Sequence, residues 1–246
     1  MAKRTLPLTC AVLCGFLLAG GASAQVVHFG SVSSFADASE LDFSGDITYA
    51  VNVGGSTTPV IGDAAFTTDS VAGCSVTAQN RADPWSSRPD LGPTADDNAL
   101  EGMLHSIRWS GAPRSVDVEL DVTAGRTYKM QLLWTENYWN EPDEHRLFDV
   151  QVEGALAVDE LDARAVTGEW TQPQHSGAVY THELVAPDDK LSFSVAPGGS
   201  AYDNNPILNA FLIEDVTPSA PEGVIPEPGG LGLLGLAVLA FRRRRK

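Results

Sequence analysis

Cysteine is nearly absent from this 246-residue chain, which holds only Cys10, Cys14 and Cys74. Two of the three fall in an N-terminal stretch that reads as a removable leader. That leaves a single thiol, no internal disulfide, and a fold that must rest on its own core. Cys74 itself is expected to act as a small buried hydrophobe. Basic residues are the second shortage. Of the 16 Lys and Arg, two stand at positions 3 and 4 and five close the chain, so nine face 32 Asp and Glu, a net charge of about −23 between the two basic ends. Such a surface repels polyphosphate and anionic lipid, which excludes nucleic acid as a partner and the membrane surface as a docking site for the body. Catalytic signatures are missing too. The five histidines, His28, His105, His145, His175 and His182, form no His-Glu-x-x-His and no close ligand pair, and there is no Gly-x-Ser-x-Gly elbow.

The apolar runs that do exist lie at the two ends. Lys3 and Arg4 precede an apolar stretch from Leu6 to Ala19, followed by Gly20-Gly21-Ala22-Ser23-Ala24. A charged start, an apolar middle and an Ala-x-Ala exit read as a secretory signal peptide over residues 1–24. At the other end, Gly229 to Phe241 is an apolar run of about thirteen residues, roughly 20 Å as a helix against a hydrocarbon core of about 30 Å.

Between the ends, alternation dominates and long helical periodicity is lacking. Val116, Val118, Leu120 and Val122 share one face of a strand, and Tyr128, Met130, Leu132 and Trp134 share one face of the next. The turn-like Thr123-Ala124-Gly125-Arg126 between them predicts a hairpin. Further strands are expected at 47–53, 64–67, 103–109, 147–152, 179–185, 191–195 and 208–216, separated by Gly, Pro, Asn and Asp clusters. Leu208 to Ile213 is apolar on both parities and reads as a central strand covered on both sides. The fold class is therefore all-β, a jelly-roll-like β-sandwich over residues 25–216, with a Pro-rich linker at 217–225.

The richest loop is Trp134-Thr135-Glu136-Asn137-Tyr138-Trp139-Asn140. Trp134 belongs to the alternating core face, whereas Tyr138 and Trp139 lie beyond the strand. An aromatic pair among Asn, Asp and Glu suits carbohydrate, because sugar C–H faces stack on rings while the polar groups bind hydroxyls. The bland reading is a satellite cluster tucked under the loop. Glu136 and Glu141 have the composition of a glycosidase acid pair, but two acids near aromatics are equally common on binding surfaces, and no enzyme activity is expected. The acidic runs Asp96-Asp97-Asn98, Asp188-Asp189 and Asp203-Asn204-Asn205 invite a structural calcium but lack EF-hand spacing, so no cofactor is expected.

Three ordered phrases resemble the malectin family: Tyr49-Ala50-Val51-Asn52-Val53-Gly54-Gly55 with Gly62 and Phe66; Tyr128 through Glu136 to Arg146-Leu147-Phe148-Asp149-Val150; and Tyr202-Asp203-Asn204-Asn205-Pro206 leading into Leu208 to Ile213. The resemblance implies a malectin-like β-sandwich with a loop-built site for a glucose-type oligosaccharide and no catalysis. It implies as carbohydrate-binding residues Tyr138 and Trp139, Trp109 after an Arg, Asp203, and Trp85 for a further family Tyr that has no clean counterpart. Asp149 is expected to be structural. The chain departs from the pattern in having Trp at two aromatic positions and one extra residue in Tyr-Asp-Asn-Asn-Pro.

The C-terminus, Pro226-Glu227-Pro228, the short apolar run and Arg242, Arg243, Arg244, Arg245 and Lys246, is similar to the PEP-CTERM tail of Gram-negative bacteria. That resemblance implies transient anchoring of residues 226–246 in the inner membrane, with the basic cluster on the cytoplasmic side. It also implies cleavage by an exosortase-type enzyme near Pro226-Glu227-Pro228 and release to the cell surface or an exopolysaccharide matrix. The expectation is an exported, carbohydrate-binding protein. The alternative is a structural matrix protein whose sandwich packs against other proteins.

Overall fold

The structure, a computed structural model, describes residues 30–141, 143–199 and 202–219. The leader at 1–24 and the sorting tail at 226–246 lie outside them. The chain runs through β1 (Ser31–Phe35), a 3-10 turn (Ala38–Glu40), β2 (Asp46–Asn52), β3 (Val60–Ile61), β4 (Ala64–Ala65), β5 (Thr67–Thr68), β6 (Cys74–Thr77) and β7 (Asn80–Ala82). It continues through α1 (Ala95–Leu104), β8 (Ile107–Trp109), β9 (Val116–Asp121), β10 (Thr127–Trp134), β11 (Phe148–Val152), β12 (Ala155–Leu161) and α2 (Ala163–Thr167). The last four elements are β13 (Gly177–Val185), β14 (Lys190–Pro197), β15 (Ile207–Leu208) and β16 (Ala210–Asp215).

Two sheets make the sandwich: six strands in the order β1-β13-β10-β16-β2-β5 and five in the order β12-β11-β14-β9-β6. All pairs are antiparallel except β2 with β5. Inward positions recur at every second residue, as a half-buried strand requires. Met130, Leu132 and Trp134 on β10, Val116, Val118 and Leu120 on β9, and Phe193 and Val195 on β14 fill the space between the sheets. The β-sandwich expected from alternation is the observed architecture.

The six-stranded sheet is covered on its second face as well. Leu133, Val179, Ala210 and Leu212 point away from the sandwich into a second core with Phe35, Leu41, Ile61, Phe66, Leu100, Met103 and Leu104. This explains why β16 is apolar on both parities: it lies between β10 and β2 with Ala210 to Glu214 buried.

Two expectations need correction. Strands β9 and β10 do not form a hairpin; β9 pairs with β14 and β6 in one sheet, and β10 pairs with β13 and β16 in the other. The 122–126 connection is an arch over the end of the sandwich, fixed by Val122 N–H to the Asp189 carbonyl (3.0 Å) and Gly125 N–H to that of Ala186 (2.9 Å). Both strands carry one apolar face in either arrangement, so alternation alone does not distinguish the two. The strand expected at 103–109 begins only at Ile107, because Met103 and Leu104 end α1. Thr94 and Asp97 start that helix with a capping box, the Thr94 hydroxyl accepting from Asp97 N–H (3.1 Å) and the Asp97 carboxylate from Thr94 N–H (3.0 Å). Leu100, Met103 and Leu104 then follow at helical spacing on the buried side.

The acidic runs have local duties. The second Asp97 oxygen accepts Ala38 N–H (3.0 Å), and these backbone bonds hold its pKa below the usual carboxylate value. Asp96 accepts Gly62 N–H and Asp188 accepts Lys190 N–H. Among the described residues no group of three or more His, Cys, Asp or Glu is placed to hold a metal. Cys74 is half-buried against the main core, where burial pushes its thiol up to about 11. Gly54, in the Gly-Gly after β2, has φ +92° and packs so closely on β8 that an added Cβ would lie 2.3 Å from the Ile107 carbonyl oxygen.

One buried ion pair sits in the doubly covered sheet. Lys129 on β10 lies 2.7 Å from Glu214 on β16 and 2.8 Å from Asp42, and Glu214 is wholly buried. Lys129→Met alone leaves Glu214 without a counter-charge and is expected to cost about 3–5 kcal/mol in urea unfolding, whereas the double change Lys129→Met with Glu214→Leu restores most of the loss.

Candidate functional site

The end of β10 is clamped before the aromatic loop begins. Trp134 is fully buried, its indole N–H donating to the Ile207 carbonyl (2.7 Å) and its ring 5.4 Å from that of Phe148. The Leu104 carbonyl, at the end of α1, accepts from Asn209 Nδ2 (2.7 Å), Asn137 Nδ2 (3.1 Å) and Thr135 Oγ1 (3.3 Å). Asn209 Oδ1 in turn accepts Thr135 N–H (3.1 Å). Side-chain amides thus replace the ladder partners that the backbone loses where the strand stops.

Glu136 then turns the chain. It is 2 % exposed, and its Oε1 accepts the backbone N–H of Tyr138 (3.1 Å) and Trp139 (3.3 Å). Its Oε2 accepts Arg146 Nε at 2.6 Å. Arg146, 7 % exposed, spends its other arm on Asp203 (2.8 Å) and on the Asn205 carbonyl (2.9 Å). Asp203 Oδ2 also accepts the Trp139 indole N–H at 3.0 Å, and its Oδ1 accepts Asn205 N–H at 2.8 Å. Backbone bonds from Asp203 N–H to the His145 carbonyl (2.9 Å) and from Leu147 N–H to that of Asp203 (3.0 Å) tie the two loops together.

On this base stand three rings. Trp139 is half-buried; Tyr138 and Tyr202 contact it edge-on, with centroids at 4.7 and 4.8 Å and interplanar angles of 90° and 87°. Tyr138 is 55 % and Tyr202 61 % exposed. The Trp139 carbonyl is held from behind by Arg164 Nη1 and by Gln172 Nε2 (3.3 Å), and Gln172 also donates to the Glu136 carbonyl (2.9 Å). Arg164 is almost wholly buried and lies 5.1 Å from the centre of the Trp170 ring. Burial pulls its pKa down, opposed by the charges of Glu136, Asp162, Glu144 and Glu169.

Of the residues singled out in the sequence, Tyr138, Trp139 and Asp203 come together here. Trp85 and Trp109 are half-buried against the main core. Their backbones adjoin the site: Ser87 N–H bonds to the Asn137 carbonyl, and Ser110 N–H to that of Pro206. Among the described residues no ring contact joins either to the trio. Tyr202 is the residue that sequence reasoning missed, although it stands next to Asp203. Glu136 is committed at both oxygens, while Glu141 is exposed on the loop beyond. Asp149 accepts Glu160 N–H (3.0 Å), the structural role expected of it. Two surface grooves of about 380 Å³ lie elsewhere, along Ser75, Thr77, Glu119 and Ser194 on the outer face of the five-stranded sheet and around Gln79 and Arg114. Neither is lined by an exposed aromatic ring.

The two sheets and the loops at their end have a malectin-like β-sandwich fold. It is similar to the ANX1 ectodomain from Arabidopsis thaliana, with a TM-score of 0.54 at 12 % identity over 70 % of this chain and 49 % of that one. It is also similar to the plant receptor-like kinase FER, with a TM-score of 0.53 at 18 % identity over 69 % and 49 %. FER in complex with the plant peptide RALF23 and LLG2 gives 0.51 at 18 % identity over 73 % and 52 %. The chain spans about half the length of these proteins, and likeness at such identity shows the fold. No curated protein matches the chain. Residues 224–246 match the PEP-CTERM protein-sorting motif, which marks the protein for sorting outside the cytoplasm.

The ion network makes a specific demand on stability. Arg146→Met strands two buried carboxylates and is expected to cost about 3–5 kcal/mol in urea unfolding. The same change should alter the near-ultraviolet circular dichroism of the Tyr138–Trp139–Tyr202 cluster.

Proposed function

We propose that this protein binds a glycan, without catalysis, through the platform of Tyr138, Trp139 and Tyr202 with Asp203 beneath it. The observation that carries this reading is the pairing of two exposed tyrosines with a half-buried tryptophan on a rigid ionic base. Exposed rings offer stacking faces, and a base already satisfied in its own hydrogen bonds holds them still, so little ordering cost opposes binding. Commitment of both Glu136 oxygens to Arg146 and the backbone supports binding rather than acid–base chemistry there. A glucose-type oligosaccharide or exopolysaccharide is the ligand proposed. Trp85 and Trp109, which rest on the core, carry less of the contact. A peptide ligand is the competing reading, since FER is known in complex with the peptide RALF23.

For the tail, the proposal is a temporary inner-membrane anchor. An exosortase-type enzyme cuts near Pro226-Glu227-Pro228, with Arg242, Arg243, Arg244 and Arg245 retained on the cytoplasmic side, and the domain passes to the cell surface or matrix.

Glycan-array screening followed by calorimetry should find a carbohydrate ligand. Tyr138→Ala and Tyr202→Ala should each weaken it about tenfold, about 1.4 kcal/mol, with unchanged unfolding midpoints because both rings are exposed. Binding to peptides alone would reject the glycan reading. Mass spectrometry of the exported protein should place its C-terminus close to Pro226-Glu227-Pro228; an intact Arg242 to Lys246 terminus would reject processing.

A further inference from the structure

The charges around the platform narrow the ligand, on the reading that the platform binds sugar. Five carboxylates belong to the loops that carry the rings: Glu136, Glu141, Asp143, Glu144 and Asp203. Glu141 and Asp143 are exposed. Glu144 is half-exposed, with Oε2 accepting Asn140 and Glu141 N–H at 3.2 Å each. Among the described residues, two guanidiniums bond to these loops. Arg146 is buried and already shared between Glu136 and Asp203, and Arg164 is buried behind the Trp139 carbonyl. Neither is available to a ligand, and His145 is occupied by Asp162 at 2.6 Å.

A uronate, sulfate or phosphate group would therefore meet uncompensated negative charge at the platform. A cation would meet the opposite. Ring faces attract ammonium groups through their quadrupoles, most strongly where several rings stand at right angles about one space. Tyr138 and Tyr202 each stand perpendicular to Trp139, at 90° and 87°, and Asp203 is bonded to its indole edge. Polarisation of the indole N–H by that carboxylate enriches the ring face in electron density.

We infer that the sugar bound at Tyr138, Trp139 and Tyr202 is an amino sugar carrying a free protonated amine, as in a partly deacetylated hexosamine polymer. Its pyranose ring stacks on a tyrosine while the ammonium group lies against a ring face and faces the carboxylates of Glu141, Asp143 and Glu144.

The test is calorimetry on the full chain in detergent with three disaccharides: glucosamine-based with free amines, its N-acetylated form, and a neutral glucose disaccharide. The free-amine form should bind about tenfold more tightly than the N-acetylated form at low salt, with the gap narrowing at high salt. Glu141→Gln with Asp143→Asn should close most of that gap and leave the N-acetylated affinity unchanged. Tyr202→Ala should abolish the preference. Equal affinity for the two hexosamines overturns this inference and leaves the glycan reading standing. A preference for the amine that survives Tyr202→Ala also overturns it, because that is diffuse attraction to an acidic body. Failure of all three sugars to bind overturns this inference as well, while the glycan array decides the glycan reading.

Discussion

One guanidinium joins the parts of this molecule that sequence keeps far apart. Arg146 pairs with Glu136, ten residues before it, and with Asp203, 57 residues after it, and none of the three side chains is more than a tenth exposed. A buried carboxylate without a partner is too costly to keep. Two carboxylates on one planar fork are tolerable because each also accepts backbone or indole N–H bonds. The same bonds that satisfy the charges fix the loop on which Tyr138 and Trp139 stand and the loop on which Tyr202 stands. Geometry at the exposed rings is thus set by electrostatics below them.

The two sheets divide the remaining work. The six-stranded sheet is covered on both faces, so it can hold Lys129 and Glu214 in its interior and support α1 and the short β3–β4 ladder. The five-stranded sheet keeps its outer face in water, where Ser75, Thr77, Asp117, Glu119, Ser192 and Ser194 alternate with the core residues of β6, β9 and β14. The aromatic loop leaves the doubly covered sheet at the end of β10. Its root is therefore held by two cores at once, through Trp134 on one side and the Leu104 carbonyl on the other.

What could be read from the residues, and what could not, follows from range. Alternation is a property of one strand, so β9, β10, β14 and the doubly apolar β16 were legible. Pairing is a property of two strands, and the arch between β9 and β10 looks like a hairpin to any local test. Helix α1 was legible in principle from Thr94 with Asp97 and from Leu100, Met103 and Leu104, but its Asp-Asp-Asn opening has the composition of a calcium turn. At the site, Tyr138, Trp139 and Asp203 announced themselves by their position beyond a strand or within a motif. Tyr202 becomes a neighbour of Trp139 only when Arg146 draws two distant loops together, and no spacing rule reports that.

Charge separates the address from the cargo. Between its two basic ends the chain carries nine basic residues against 32 acidic ones, while the last five residues are all basic. An acidic body is repelled by an anionic leaflet and by its own copies, whereas a terminal basic cluster is attracted to the leaflet and resists crossing it. The sorting motif at 224–246 thus joins a basic terminus to a domain whose net charge has the opposite sign. On the proposed cleavage near Pro226-Glu227-Pro228, the domain would lose the five basic residues and its attachment in a single step.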